Sequence, residues 1–224
     1  MARVSQEHLD ARRRQILDGA ALCFARNGFH ATSMQDVLKE VDLSAGAVYR
    51  YFSGKEELIA AIVTEVLQEV GDAFKTAGEQ DPLPPLDVIV GEVMGRMLGL
   101  RPGLTHKGAA VFPRLIVQVW AETLRDAELS KVLAEGYAKV HESWVRLVER
   151  YQEAGLMRAD VPAESVARTM IAAAQGFIAQ MALFGGASVD VFQEGLRGLM
   201  SLGGPARRDP VDHGPVNVLE TPAN

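Results

Sequence analysis

Apolar residues recur every three or four positions along almost the whole chain, and nowhere does a sustained every-second-residue alternation take over. That spacing puts apolar side chains on one face of a helix, whereas a half-buried strand needs period two. The fold class that follows is all-α. Aromatic residues are only 6%, and 48% of the 224 residues are hydrophobic, enough for the core of one large domain or two small ones. A single cysteine, Cys23, excludes an internal disulfide framework and any cysteine-rich zinc site.

Punctuation between the periodic runs divides the chain. The first helix is expected over about 6–27, with Ile16, Ala20, Cys23 and Phe24 inward and Asn27-Gly28 as its stop. Ser33 and Asp36 read as a capping box for a short helix ending at Val41. After the turn Asp42-Leu43, Ser44 caps a third helix over 45–51. Ser53 and Glu56 read as a second capping box, opening a long helix with Ile59, Ile62, Val63, Val66, Leu67, Val70 and Phe74 on its apolar face. The stretch GEQDPLPP, 78–85, is the clearest loop. Helices are expected over 86–100, over 104–125 with a kink or restart at Pro113, over 127–154 behind the cap Asp126, from Pro162 to Phe184, and over 189–202. Arg101-Pro102-Gly103 breaks the chain after the first of these, and Gly185-Gly186 closes the helix at Phe184. Beyond Gly203, four prolines in a poorly apolar stretch predict a disordered tail over 204–224.

Two short helices joined by a tight turn behind a longer one make a helix-turn-helix, here at 33–52. Val37, Leu38, Val41, Leu43, Val48 and Phe52 would pack it together, leaving Ser44, Ala45, Gly46, Ala47, Arg50 and Tyr51 on the open face of the third helix. Small residues there let the backbone approach a DNA major groove, while Tyr49, Tyr51 and Lys55 can donate to phosphates. Net charge is −6, but residues 1–55 carry eight Lys/Arg against six Asp/Glu, a basic end on an acidic body. A compact three-helix interaction module accounts for the same geometry.

The run RRRQILDGAALCFARNGFHATSMQDVLKEVDLSAGAVYRYFSGKEELIAAI closely resembles the DNA-binding domain of the tetracycline-repressor (TetR) family of bacterial transcription regulators. The resemblance rests on FARNGFHATSM, VDLSAGAVYRYF and KEEL, in order and correctly spaced, and covers about a quarter of the chain. It implies phosphate contacts at Thr32 and Ser33, groove-facing positions at Ser44, Ala45, Gly46 and Ala47, and aromatic backbone contacts at Tyr49 and Tyr51. It implies a base or phosphate contact for Arg50 and a phosphate-holding role for Lys55. Ala45 and Ala47 offer no side-chain hydrogen bond, so direct base readout is expected to be thin and DNA shape to matter. The organisation expected is a helix-turn-helix DNA-binding domain over 1–55 and a helical ligand-binding and dimerisation domain over 56–203.

In the body, the helix reaching Phe184 is apolar nearly all round, so one face needs a neighbour outside its own domain. Ala172, Ala173, Gly176, Ala179 and Ala182 would let it pack closely, with the helix around 191–200, against a twin subunit; the central helix of a monomeric bundle is the alternative. Phe112, Ile116, Val119, Trp120, Trp144, Met170 and Phe177 are candidates to line an apolar cavity, with Gln175, Gln118 or His141 as polar anchor. Ordinary core packing explains the same residues. A small apolar or aromatic effector fits this set better than a charged one.

No catalytic, metal-binding or cofactor-binding constellation is found: the five histidines are dispersed, and phosphate-loop, nucleophile-elbow and HExxH patterns are absent. The N-terminal MARVSQEHLDARRR is polar, so no secretory leader is expected, and the apolar stretch 169–185, broken by two glutamines, is expected to be too short for a membrane span. The expectation is a cytoplasmic, homodimeric, non-enzymatic regulator, most simply a repressor, on a pseudo-palindromic double-stranded operator. An all-helical enzyme or carrier, and a regulator controlled by a protein partner, are the rival readings.

Overall fold

The computed structural model describes residues 6–99, 105–106, 109–110 and 112–201. Among them the elements are α1 (Gln6–Asn27), α2 (Met34–Val41), α3 (Ala45–Tyr49), α4 (Lys55–Gly78), α5 (Leu86–Gly99), β1 (Thr105–His106), β2 (Ala109–Ala110), α6 (Phe112–Thr123), α7 (Ala127–Glu153), α8 (Ala163–Phe184) and α9 (Val189–Met200). The two-residue strands pair antiparallel, with Thr105 opposite Ala110. The other elements among the described residues are all helices. The expected break at Arg101-Pro102-Gly103 and the expected tail over 204–224 lie outside the described residues.

Side-chain hydrogen bonds cap the starts of α2, α3 and α7. Ser33 Oγ accepts from Asp36 N while the Ser33 N–H donates to Asp36 Oδ2, closing the capping box of α2. Ser44 accepts from Ala47 N at α3, and Asp126 accepts from Leu129 N at α7. The second expected box is corrected. Gly54, extended and without a side chain, takes the cap of α4, so the carboxylate that folds back on Ser53 is Glu57, one residue beyond Glu56. Pro113 sits in the first turn of α6, where its missing N–H costs nothing, so the helix begins there rather than kinking. Pro162 is the cap of α8 rather than a residue of its first turn, and α3 stops at Tyr49, two residues short of the expected end.

Two cores hold the chain. In the first, Ile16, Leu17, Ala20 and Phe24 of α1 and Val37 and Val48 of the short helices are all 0% exposed. This core does not stop at residue 55. It continues through Leu58, Ile59 and Ile62 of α4 to Phe112, Leu115 and Val119 of α6 and Leu129 of α7. The second gathers Phe74, Leu86, Ile89, Trp144, Leu147, Ile171 and Phe177. There, burial pushes the Tyr151 phenol up to about 12, and its O–H donates to the Pro84 carbonyl. Arg197 of α9 reaches the buried Asp87 of α5 at 2.9 Å. At 22 residues, α8 is long and apolar enough, by length and composition, to cross a membrane. This corrects the expectation from 169–185, which left out the helix's first two turns.

Close approaches explain two glycines. A Cβ on Gly19 would stand 2.2 Å from Val41 Cγ1, so α1 and α2 touch through that missing side chain. A Cβ on Gly136 of α7 would stand 2.5 Å from Leu67 Cδ1 of α4. Gly19→Ala is expected to cost about 1–3 kcal/mol of stability by overpacking, measured as a lower urea midpoint at unchanged m-value. An unchanged midpoint would mean that α2 yields freely.

Candidate nucleic-acid interface and body cavity

The open face of the helix-turn-helix is built from its caps outward. Asp42 ends α2 in the left-handed region, φ 52°, and its N–H returns to Leu38 O, which turns the chain sharply into α3. Val48 then points into the core, leaving Ser44, Ala45, Gly46, Tyr49 and Arg50 exposed and Ala47 half-buried. Gly46 has nothing within 4 Å of where a Cβ would stand, so no contact within the chain requires a glycine there. Tyr49 is 50% exposed. Tyr51 is half-buried, with the Arg50 guanidinium 5.2 Å over its ring and 3.3 Å from its hydroxyl.

Other expected contacts are partly or wholly spent inside the fold. Thr32 is corrected: it is 1% exposed, and its hydroxyl donates to the Gly28 and Cys23 carbonyls, so it braces the α1–α2 turn and presents nothing to a phosphate. Ser33 is exposed and shares its hydroxyl with Asp36 at 2.6 Å. Lys55 donates to the Phe29 carbonyl at 3.2 Å and lies 4.6 Å over the Phe29 ring, which fixes the ammonium at the foot of α4. The basic excess of residues 1–55 is also partly internal, since Arg13 pairs with Glu65 and Arg26 with Glu40.

Electrostatics favour the caps at neutral pH. The Ser33 hydroxyl and N–H hold the Asp36 carboxyl below its usual range, and the Ser53 N–H and hydroxyl do the same for Glu57. A carboxyl lowered by folding contributes fully above the ordinary carboxylate range and loses its contribution as pH falls through the lowered value. Both caps are therefore intact wherever DNA binding is measured. The Cys23 thiol is pushed up, chiefly by burial, and is inert packing rather than a reactive group.

Behind this domain, α4, α5, α6, α7 and α8 enclose a cavity of about 660 Å³. Phe112, Ile116, Val119, Trp120, Trp144 and Gln175 line it. Met170 and Phe177 do not, and are corrected: Phe177 lies two residues past Gln175, on the far side of α8, and stacks on Phe192 of α9 at 4.8 Å, while Met170 packs into the second core. Nor do Gln118 and His141 line it, and His141 Nε2 lies 3.5 Å from Glu164 instead. The sequence reading missed Tyr137 and Ser130, although both lie on the α7 face of Trp144 at seven-residue intervals. The Gln175 and Tyr137 side chains interact at the cavity wall, and burial pushes the phenol's pKa up. No Asp, Glu, Lys, Arg or His lines the cavity among the described residues.

One strut joins the two regions from outside. His30, in the α1–α2 turn, places Nε2 2.9 Å from Glu122 Oε2 at the end of α6. Nothing in the sequence pattern signalled that pair, because the partners are far apart in the chain and neither sits in a motif.

Comparison with known proteins follows the same division. Residues 16–62 match the family described as bacterial regulatory proteins, tetR family, and residues 109–197 match the BetI-type transcriptional repressor C-terminal family, together more than half the chain. The HTH-type transcriptional regulator YfiR of Bacillus subtilis is 29% identical over 190 residues, 84% of this chain and 89% of that one. The HTH-type transcriptional repressor Rv1474c of Mycobacterium tuberculosis is 26% identical over 182 residues, 81% of this chain and 88% of its own. The solved structure of Salmonella enterica GusR superposes with a TM-score of 0.65 at 27% identity, covering 89% of this chain and 100% of that chain.

Two substitutions probe the face. Gly46→Val is expected to leave stability within about 0.5 kcal/mol, as for open surface sites, yet to weaken DNA binding at least about tenfold by holding the backbone off the groove. Lys55→Met keeps the stem over Phe29 and removes only the charge. It is expected to lower the salt slope of binding by about one per subunit without reordering preference among sites. Full affinity in the first variant, or an unchanged slope in the second, would contradict these assignments.

Proposed function

The chain belongs to the tetR family of bacterial regulatory proteins and is a helix-turn-helix transcription regulator; from that premise, we propose that it acts as a homodimeric repressor released from its operator by a small, uncharged, apolar ligand. The observation that carries this reading is a set of shared residues. Ile62, Val63 and Val66 of α4 and Phe112, Leu115 and Val119 of α6 line the cavity and at the same time belong to the core that holds α1, α2 and α3. A ligand that fits better with α6 or α4 displaced therefore acts on the same side chains that position the recognition helix. His30 and Glu122 carry the same displacement along the surface.

The dimer reading rests on the outer faces of α8 and α9. Leu183, Phe184, Val191 and Leu199 are 67%, 81%, 56% and 70% exposed, an apolar row left largely uncovered by the described residues. Gly195 and Gly198 have open space where a Cβ would stand, so a second backbone can come close. Helix α8 packs on α6 and α7 and contributes Ile171 and Phe177 to the second core, which suits a subunit interface better than lipid on all sides. The same patch on both chains gives a two-fold dimer, and a two-fold dimer of helix-turn-helix units fits a pseudo-palindrome with half-sites about 34–36 Å apart.

Operator binding measured with and without effector tests the proposal. The effector is expected to lower operator affinity by roughly 5–150-fold, and operator to lower effector affinity by the same factor, because coupling between two sites is reciprocal. Equal effector affinity for the free and DNA-bound protein would contradict release, since such a ligand shifts nothing.

A further inference from the structure

The cavity wall follows two long helices. It runs along α7 from Ser130 to Trp144 and along α4 from Ile62 to Phe74, spans of about 21 and 18 Å at the helical rise. Tyr137 lies seven residues from Ser130 and seven from Trp144, so the Tyr137–Gln175 pair sits at the midpoint of the channel and not at an end. Both side chains line the cavity, so the phenol O–H can donate to a ligand and the neighbouring Gln175 amide offers a donor and an acceptor. Apolar side chains dominate both arms, and no cation awaits an anionic end group among the described lining residues. An ionised carboxylate seated there would be desolvated without a partner.

We propose that this channel selects an extended, uncharged, hydrocarbon-rich molecule whose oxygen function lies at mid-length, where the Tyr137 hydroxyl donates to it and the two apolar arms run toward Ser130 and toward Trp144. The inference rests on the reading of the cavity as the effector site and specifies what that site accepts. An end-functionalised chain of the same size places its oxygen about 10 Å from Tyr137, near Ser130 or Trp144 at an end of the channel, and forfeits the Tyr137 hydrogen bond. Tyr137 and Gln175 thus set specificity by position as much as by chemistry.

Three constitutional isomers make the test: hexyl hexanoate with a central ester, methyl undecanoate with a terminal ester, and dodecanoic acid with a terminal carboxylate at neutral pH. Each is titrated into the full-length protein, following fluorescence of Trp120 and Trp144, which line the channel. Hexyl hexanoate is expected to bind roughly five- to tenfold more tightly than methyl undecanoate, the worth of one net hydrogen bond, and dodecanoate weakest of all. Tyr137→Phe is expected to bring hexyl hexanoate down to the level of methyl undecanoate and leave the latter unchanged. The isomer ranking on the unaltered protein needs no variant and decides the matter even if Tyr137→Phe fails to fold. A terminal isomer binding as tightly as the central one, an equal effect of Tyr137→Phe on both esters, or no binding by any of the three overturns the inference. None of these outcomes touches the repressor reading, which stands or falls on whether any effector and the operator displace one another.

Discussion

Leu115 of α6 is 1% exposed, and the surfaces that bury it belong to different jobs. On one side it meets the core of α1 to α3, and on the other it forms part of the cavity wall. Phe112 and Val119, one turn to either side, are buried the same way, at 2% and 5% exposed. Complete burial of each such side chain is worth about 1.5–3 kcal/mol, so α6 cannot leave the helix-turn-helix without losing a large share of the stability a domain of this size has to spare. It can only shift together with it. A tightly packed interior passes on displacement rather than absorbing it, and on the proposed reading that packing would let a molecule in the body be felt at the DNA face.

The rest of the architecture keeps that motion from being lost. Helix α4, 24 residues or about 36 Å long, carries Lys55 at its foot and Phe74 in the second core. It lies against α7 closely enough that Gly136 must lack a side chain. The His30–Glu122 pair ties the α1–α2 turn to the end of α6. With α4 and α7 packed directly on one another, α6 is the cavity wall that also packs against α1, so on the proposed reading a displacement of α6 would reach α1.

What the sequence made legible was whatever is decided locally. Ser33, Ser44 and Asp126 cap their helices because a side-chain oxygen and a backbone N–H three residues on are brought together by the first turn itself. The register slipped at Ser53 because Gly54 can start a helix without a side-chain cap, and the pattern of charges alone does not say whether Glu56 or Glu57 turns back. The inward faces of single-sided helices were readable too, so Trp120 and Trp144 line the cavity. A helix apolar on both sides offers no such guide: Phe177 faces α9 and Gln175 the channel, two residues apart. Thr32 carries the residue type of a phosphate contact, yet its hydroxyl is consumed by two carbonyls that only the folded turn brings near. The continuity of the core past residue 55 is a matter of tertiary packing, which periodicity does not encode.

The central claim is that the DNA-binding helices and α6 form one cooperative unit. Native-state hydrogen exchange on the protein and on Leu115→Ala measures this most directly. The substitution is expected to cost about 2–5 kcal/mol. If the core is continuous, the slowest amides of α1 and α2 lose the same opening free energy as those of α6. Loss of protection confined to α6, with α1 and α2 opening at their original free energy, would show two independent domains and contradict the account.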